Sequence, residues 1–296
     1  MKLLDLEFLE AKQVIGSYLI PGEDGNILVE TGPETTWTHM VQALKEEGIG
    51  LKDIKHVLLT HIHFDHAGAA WKFAEAGAKI YVHPVGLPHL ASPEKLWNSA
   101  SKIYGEDMDR LWGKMAPIAK DKLEGVEHGQ TLKVSGQEFR CWHTPGHAVH
   151  HIAWQWGDTL FTGDVAGVRI SDGPVVPPCP PPDINLADWS NSLQLIREIA
   201  PQTLCLTHFG QVTEIEPHLK SLEKMMEDWA LWMKRHFDQG TPMEEVTQSF
   251  MVYTELQMKE MGVAKELRQC YEYANPSWMS VAGLMRYWRL KEEGRI

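Results

Sequence analysis

An α/β fold of two similar layers, followed by a helical tail, is what this sequence predicts. Two observations lead there. Short runs rich in β-branched residues alternate with segments of helical spacing, and the order strands, helix, strand occurs once in each half of the chain before residue 212. Beyond that point the apolar pattern is helical to the end. Apolar residues make up 43% of the 296 positions, enough for a buried core, so a disordered chain or a disulfide-stapled miniprotein is excluded.

Each element has a local reason. Val14–Ile20 and Asn26–Thr31 read as strands, joined by the turn-forming Pro21-Gly22-Glu23-Asp24-Gly25. Helical spacing of Trp37, Met40, Val41 and Leu44 predicts a helix over Glu34–Glu47 that stops at Gly48. Ile54–Thr60 is a compact strand, Ala67–Ala76 a helix ending at Gly77, and Lys79–His83 a further strand. Residues 84–125 break the rhythm. Pro84, Pro88, Pro93 and Pro117 punctuate helices expected near Glu94–Tyr104 and Glu106–Ala116, and the segment reads as an insertion beside the core. Strands resume at Thr131–Val134, Glu138–Thr144, His151–Trp156 and Thr159–Thr162. Residues 173–183 hold six prolines in eleven positions, which permits neither helix nor central strand and predicts a stiff loop. A helix over Asp188–Ala200 and a strand over Thr203–Thr207 follow, and Pro242 and Pro276 divide the tail into three or four helices. The expected division is an α/β domain at 1–212, with the insertion at 84–125, and a helical region at 213–296.

Charge narrows the partners. The formal net of -12 repels phosphate backbones and anionic lipid, so neither nucleic acid nor membrane is an expected partner; a small molecule is. No stretch approaches the ~20 apolar residues of a spanning helix. Four cysteines without CxxC spacing read as reduced thiols, and acidic residues at 5, 7 and 10 interrupt any leader-like apolar run, so the expected location is the cytoplasm. Against this acidity stand 15 histidines.

Several of those histidines are organised. The segment His61-Ile62-His63-Phe64-Asp65-His66 directly follows a buried strand and packs three imidazoles and a carboxylate into six residues. A strand tip turning into a helix can splay these side chains in two directions, so one loop could serve two cations. His147 in Thr144-Pro145-Gly146-His147, Asp164 in Thr162-Gly163-Asp164, and His208 after Thr207 also stand where apolar runs stop. Four strand ends that each deliver His or Asp form a pattern, although any one alone would be ordinary.

These motifs resemble those of the metallo-β-lactamase-fold superfamily, over roughly residues 14–210. The resemblance implies a four-layer αββα sandwich with its metal site at one edge, here followed by a helical extension. It implies His61, His63 and His147 at one metal, Asp65, His66 and His208 at a second, and Asp164 bridging them. It also implies two divalent ions, zinc before iron or manganese, that share a hydroxide able to attack an ester, lactone, thioester or phosphodiester, with Asp65 assisting proton transfer to the leaving group. Asp164 and His63 point to the glyoxalase II and lactonase branches rather than to true β-lactamases or to flavin-coupled diiron proteins. The alternative is an oxidoreductase similar to the persulfide dioxygenases, which carry the same HxHxDH motif with one iron.

Outside these motifs, His151, four residues past His147 with His150 beside it, and Arg169, just beyond Asp164, are candidate substrate contacts. Leu222, Met226, Trp229, Met233 and Phe237 follow helical spacing and read mostly as core. The Met- and Trp-rich stretch at 278–288 suits a pocket wall or a homodimer contact through the C-terminal helices.

Overall fold

The computed structural model describes residues 1–296 as two six-stranded sheets packed face to face. The first sheet runs in sequence order: β1 (Lys2–Asp5), β2 (Gly16–Ile20), β3 (Asn26–Val29), then, after helix α1 (Trp37–Glu46), β4 (Ile54–Leu58). Helices α2 (Phe64–Ala67) and α3 (Ala70–Glu75) lead to β5 (Lys79–Val82). Helices α4 (Leu87–Ala91), α5 (Glu94–Tyr104) and α6 (Met108–Leu111) then lead to β6 (Leu123–Gly125). Pairing is antiparallel through β3 and parallel from β3 to β6. The second sheet begins with the meander β7 (Thr131–Val134), β8 (Gln137–His143), β9 (Ile152–Trp156) and β10 (Thr159–Gly163). Helix α7 (Leu186–Ile199) carries the chain to β11 (Thr203–Leu206), parallel to β10, and β12 (Gly210–Val212) closes the edge.

Alternation along the strands builds the layers. In β7, Leu132 and Val134 are buried while Thr131 and Lys133 face solvent, and in β8 Phe139 and Cys141 are buried between exposed Glu138 and Arg140. The inward faces of both sheets meet in one cluster that includes Tyr18, Val29, Phe139, Trp154 and Phe161. The outer face of the first sheet is covered by Met40, Leu44, Phe73 and Ala74 from α1 and α3. That of the second is covered by Trp189, Leu193 and Ile196 from α7 together with the tail. The result is helix, sheet, sheet, helix, with a helical region behind one outer layer.

The tail comprises α8 (Ile215–Asp238), α9 (Met243–Glu260), α10 (Lys265–Ala274) and α11 (Ser277–Glu292). Leu222, Met226, Trp229 and Met233 are buried from α8, and α11 packs on both α8 and α9. Met279 and Met285, from the stretch expected to offer a surface, are buried within the chain. No helix is long and apolar enough to cross a membrane.

Three readings of the sequence need correction. The segment 84–125 is not wholly an insertion, because Leu123–Gly125 pairs in parallel with β5 and forms the sheet edge. The helix expected over Glu106–Ala116 shrinks to a 3-10 turn and four α-helical residues, because Gly113 adopts a left-handed φ of +65° and Pro117 follows. Strand β12 interrupts the expected passage from β11 into helix, because Gly210–Val212 returns antiparallel along β11.

Candidate metal centre

The sheets converge at one edge of the sandwich. There Ile152 N donates to Thr60 O (2.8 Å), Gly16 N to Thr207 O (2.8 Å), and the Trp154 indole N–H to Leu59 O (3.0 Å). Strand tips are thereby fixed against each other, and the side chains just beyond them share a small volume. After β4 the chain runs extended through His63, which caps the short helix α2. His61 and His63 flank the buried Ile62, while Asp65 and His66 emerge from α2 itself. His147 arrives from the turn after β8, Asp164 from the end of β10 and His208 from the end of β11.

The seven residues form two groups of converging ligand atoms. His61, His63, His147 and Asp164 make the first, and Asp65, His66 and His208 the second. In the first, His63 Nδ1 lies 3.0 Å from both His61 Nε2 and His147 Nε2, and Asp164 Oδ2 lies 3.2 Å from His147 Nε2. In the second, Asp65 Oδ2 lies 3.6 Å from His66 Nε2 and 3.4 Å from His208 Nε2. Asp164 reaches both, because its Oδ1 lies 3.3 Å from His66 Nε2 and 3.5 Å from His208 Nε2.

This donor set fits cations. His147 Nδ1 donates to Pro178 O (2.8 Å) and His208 Nδ1 to Val14 O (2.7 Å), which leaves lone pairs on both Nε2 atoms aimed at the centre. His66 Nε2, His208 Nε2 and Asp164 Oδ1 are buried and have no hydrogen-bond partner in the protein. A single proton on His63 Nδ1 can satisfy only one of its two imidazole neighbours at 3.0 Å, and the buried acceptors left without donors are costly unless positive charge lies among them.

In the ion-free protein the charges divide between the groups. Burial, reinforced by neighbouring imidazoles, holds His61 far below the ordinary histidine range and His63 at about 3. Burial also disfavours charge on His66, but Asp164, Asp65 and Glu30 outweigh it and raise its pKa well above that range. Asp164 would likewise be raised by burial, yet His66, His147 and His208 hold it well below the usual carboxylate value. His61 and His63 are thus held neutral beside a tight set of paired charges.

Glu30 is absent from the sequence motifs, yet it organises one side of the centre. It is 1% exposed, sits at a left-handed φ of 65° just past β3, and accepts hydrogen bonds from the Thr60 amide and hydroxyl. Its Oε1 stands 3.4 Å from His66 Nδ1 without a hydrogen bond between them, close enough for its charge to favour the protonated ring. The available signal was a lone acidic residue inside the run Asn26–Thr31. Glu30→Gln keeps the shape and removes the charge. The expected result is metal affinity about 10- to 100-fold lower, read by competition with a chelator. Unchanged affinity would show that Glu30 serves only Thr60.

The two residues proposed as substrate contacts sit elsewhere. His151 is fully buried behind Asp164, with Nδ1 2.8 Å from Thr144 Oγ1 and Nε2 accepting from the Asp164 amide (3.2 Å). It positions the carboxylate and has no access to the cleft. Close packing at this point requires glycine before Asp164, since a Cβ on Gly163 would come 2.4 Å from Thr60 Oγ1 and 2.7 Å from His151 Nε2. Arg169 follows Asp164 closely in sequence, but its amide bonds His208 O and its side chain lines a different cavity beside His218 and Lys224. The reason is the turn after β10, where Val168 bridges Val176 and carries Arg169 away from the ligands.

A cavity of about 510 Å³ opens directly on the ligands. His63, Asp65, His147 and Asp164 form its polar floor. Its walls come from α2, α5, the end of α6, the Pro-rich loop and α11, and include Phe64, Tyr104, Trp112 and Met279.

The profile of the metallo-beta-lactamase superfamily matches residues 15–208, from just before β2 to His208. This chain belongs to that superfamily. Its relatives there include a metallo-beta-lactamase fold-containing protein of Sulfurisphaera tokodaii, 29% identical over 220 residues that cover 72% of this chain and 80% of that one. A solved structure from this archaeal source, at 27% identity, superposes with a TM-score of 0.59 over 73% of this chain and 82% of the other. An atrochrysone carboxyl ACP thioesterase of Pseudocercospora fijiensis is 30% identical over 48% of this chain, but only 34% of its own length is matched. A metallo-beta-lactamase family protein of Thermus thermophilus shares the fold over 99% of this chain and 93% of its own, with a TM-score of 0.72 at 21% identity. The likeness to the Thermus protein therefore extends through the helical tail, whereas the superfamily profile ends before it. Membership makes the fold that of a metallo-hydrolase superfamily that binds divalent metals, and the two His/Asp groups described above could hold such ions.

Proposed function

We propose that this chain is a binuclear, zinc-dependent hydrolase of carboxylic esters or thioesters. One observation carries the reading: two ligand groups joined through Asp164 form the floor of a cavity whose walls are largely apolar. Two divalent ions in such a nitrogen and oxygen donor set supply a Lewis acid for the scissile carbonyl and acidify the attacking water. The acyl–oxygen or acyl–sulfur bond breaks, hydroxyl is added to the acyl carbon, and the leaving group takes up a proton.

The chain's own residues do the rest. Asp65 Oδ2 faces His66 and His208, while Oδ1 has no protein partner and can hold the proton destined for the leaving group. Phe64, Trp112 and Met279 offer the acyl group an apolar, water-poor wall, and a volume near 510 Å³ lies within the usual range for small-molecule sites. Lys102 and Arg286 also line the cavity, and neither has an acidic partner. They suit a leaving group that carries negative charge. A fungal relative named as a thioesterase supports the same bond type.

Protein purified without added metal is expected to carry two zinc ions per chain. It is expected to cleave aryl esters or acyl thioesters, to lose turnover on chelation and to regain it with zinc. One iron per chain with thiol-dependent oxygen uptake would replace this reading with the oxidoreductase alternative.

A further inference from the structure

Tyr104 lies outside every motif in the sequence, on the last turn of α5, where Gly105 at φ +55° ends the helix. Its ring is held edge-on by Trp112 (centroids 5.2 Å apart, 75° between planes) and by Trp278 of α11 (5.8 Å, 80°). The ring thus spans from the 84–125 segment to the tail, and it lines the cavity together with Asp65. Its hydroxyl makes no hydrogen bond to any protein group, although every other feature of the ring is fixed. An ordinary phenol keeps its proton at neutral pH, so this hydroxyl is available as a donor. A neutral donor with no acceptor, on the wall of a cavity floored by metal ligands, is complementary to an acceptor oxygen supplied from outside.

We infer that Tyr104 is a catalytic residue whose hydroxyl donates a hydrogen bond to the carbonyl oxygen of a bound acyl group, which selects substrates with an aromatic or aliphatic acyl group beside that oxygen. The inference rests on the hydrolase reading for its chemistry, but not for its binding geometry. The acyl group packs against Phe64 and Trp112, and the carbonyl oxygen lies between the floor and Tyr104. The bond strengthens as negative charge develops on that oxygen, so its loss should appear mainly in kcat.

The test uses the full chain, as wild type and as Tyr104→Phe, which keeps both ring contacts. For the best ester or thioester found, the variant is expected to lose about 100-fold in kcat with KM changed less than about threefold. Binding of benzoate and octanoate, measured by calorimetry without turnover, is expected to weaken about tenfold, as one hydrogen bond warrants. Metal content and melting temperature should match wild type. Unchanged kcat together with unchanged carboxylate affinity would overturn the inference. So would loss of metal or a markedly lower melting temperature, either of which would make Tyr104 structural. A wild type that binds these carboxylates but cleaves no ester or thioester sinks the hydrolase reading alone, and the loss of affinity in the variant still decides for Tyr104. A wild type that binds neither carboxylate counts against Tyr104 directly.

Discussion

Replacing Asp164 by asparagine is expected to remove at least one of two bound metal ions and to lower turnover by a factor of about 10³. Asp164 is 3% exposed, and its two oxygens face four imidazoles drawn from both ligand groups. Asparagine preserves the shape and the amide bond from Asp164 N to His151, so the loss isolates charge from packing. Removing one member of a buried ionic set costs about 3–5 kcal/mol, because its partners stay buried without compensation. Here the uncompensated partner is His66, whose raised pKa depends first among its favourable contacts on Asp164. The ion-free variant should therefore hold the charge on His66 less firmly and gain little thermal stability when zinc is added, whereas wild type should gain substantially by mass action. Elemental analysis and melting with and without zinc check both statements. A variant that retained two ions and full turnover would show that the groups act independently.

The ligands were legible because the chemistry is local. His61, His63, Asp65 and His66 lie in one six-residue segment, and His147, Asp164 and His208 each end an apolar run, so residue type and position coincide. The supports were not. Glu30 acts on Thr60 and His66, thirty and more positions away, and nothing in its own neighbourhood marks it as buried. The acceptors for His147 and His208 are the backbone carbonyls of Pro178 and Val14, and a carbonyl carries no residue identity to be read. Arg169 and His151 mislead in the opposite way. Both are near a ligand in sequence, but a strand end reverses direction within a few residues, so sequence proximity places one behind Asp164 and the other in a separate cavity. The alternation of buried and exposed residues made the strands readable, while β1, β6 and β12 escaped because three or four residues at a sheet edge give too short a pattern. The Pro-rich stretch was recognisable as a rigid loop; that the tail clamps it to the centre depends on contacts a hundred residues apart.

That clamp predicts a large effect from a small change. Gly283 lies inside α11, where alanine would ordinarily favour the helix by about 1 kcal/mol. A Cβ there would come 1.9 Å from Cys179 O and 2.9 Å from Cys179 C, both backbone atoms of the Pro-rich loop. Neither side can yield cheaply. The loop is tied to the tail by Asn275 Nδ2 donating to Pro177 O (3.0 Å), Arg286 Nε to Pro182 O (2.9 Å) and Tyr271 Oη to Pro174 O (2.7 Å). Overpacking of this severity outweighs the propensity gain, so Gly283→Ala is expected to destabilise the protein by about 3 kcal/mol. At the scaling of large domains this lowers the melting temperature by roughly 6–10 °C. The displacement also reaches the metal centre. Pro178 O, one residue before Cys179, holds the Nδ1 proton of His147, so zinc affinity at the group containing His147 should fall with stability. Ala282→Gly at the neighbouring helix position supplies the control, since it costs about 1 kcal/mol of propensity without touching the loop and should leave zinc affinity alone. If Gly283→Ala lowered the melting temperature while chelator competition gave wild-type affinity, the tail would stabilise the fold without positioning His147.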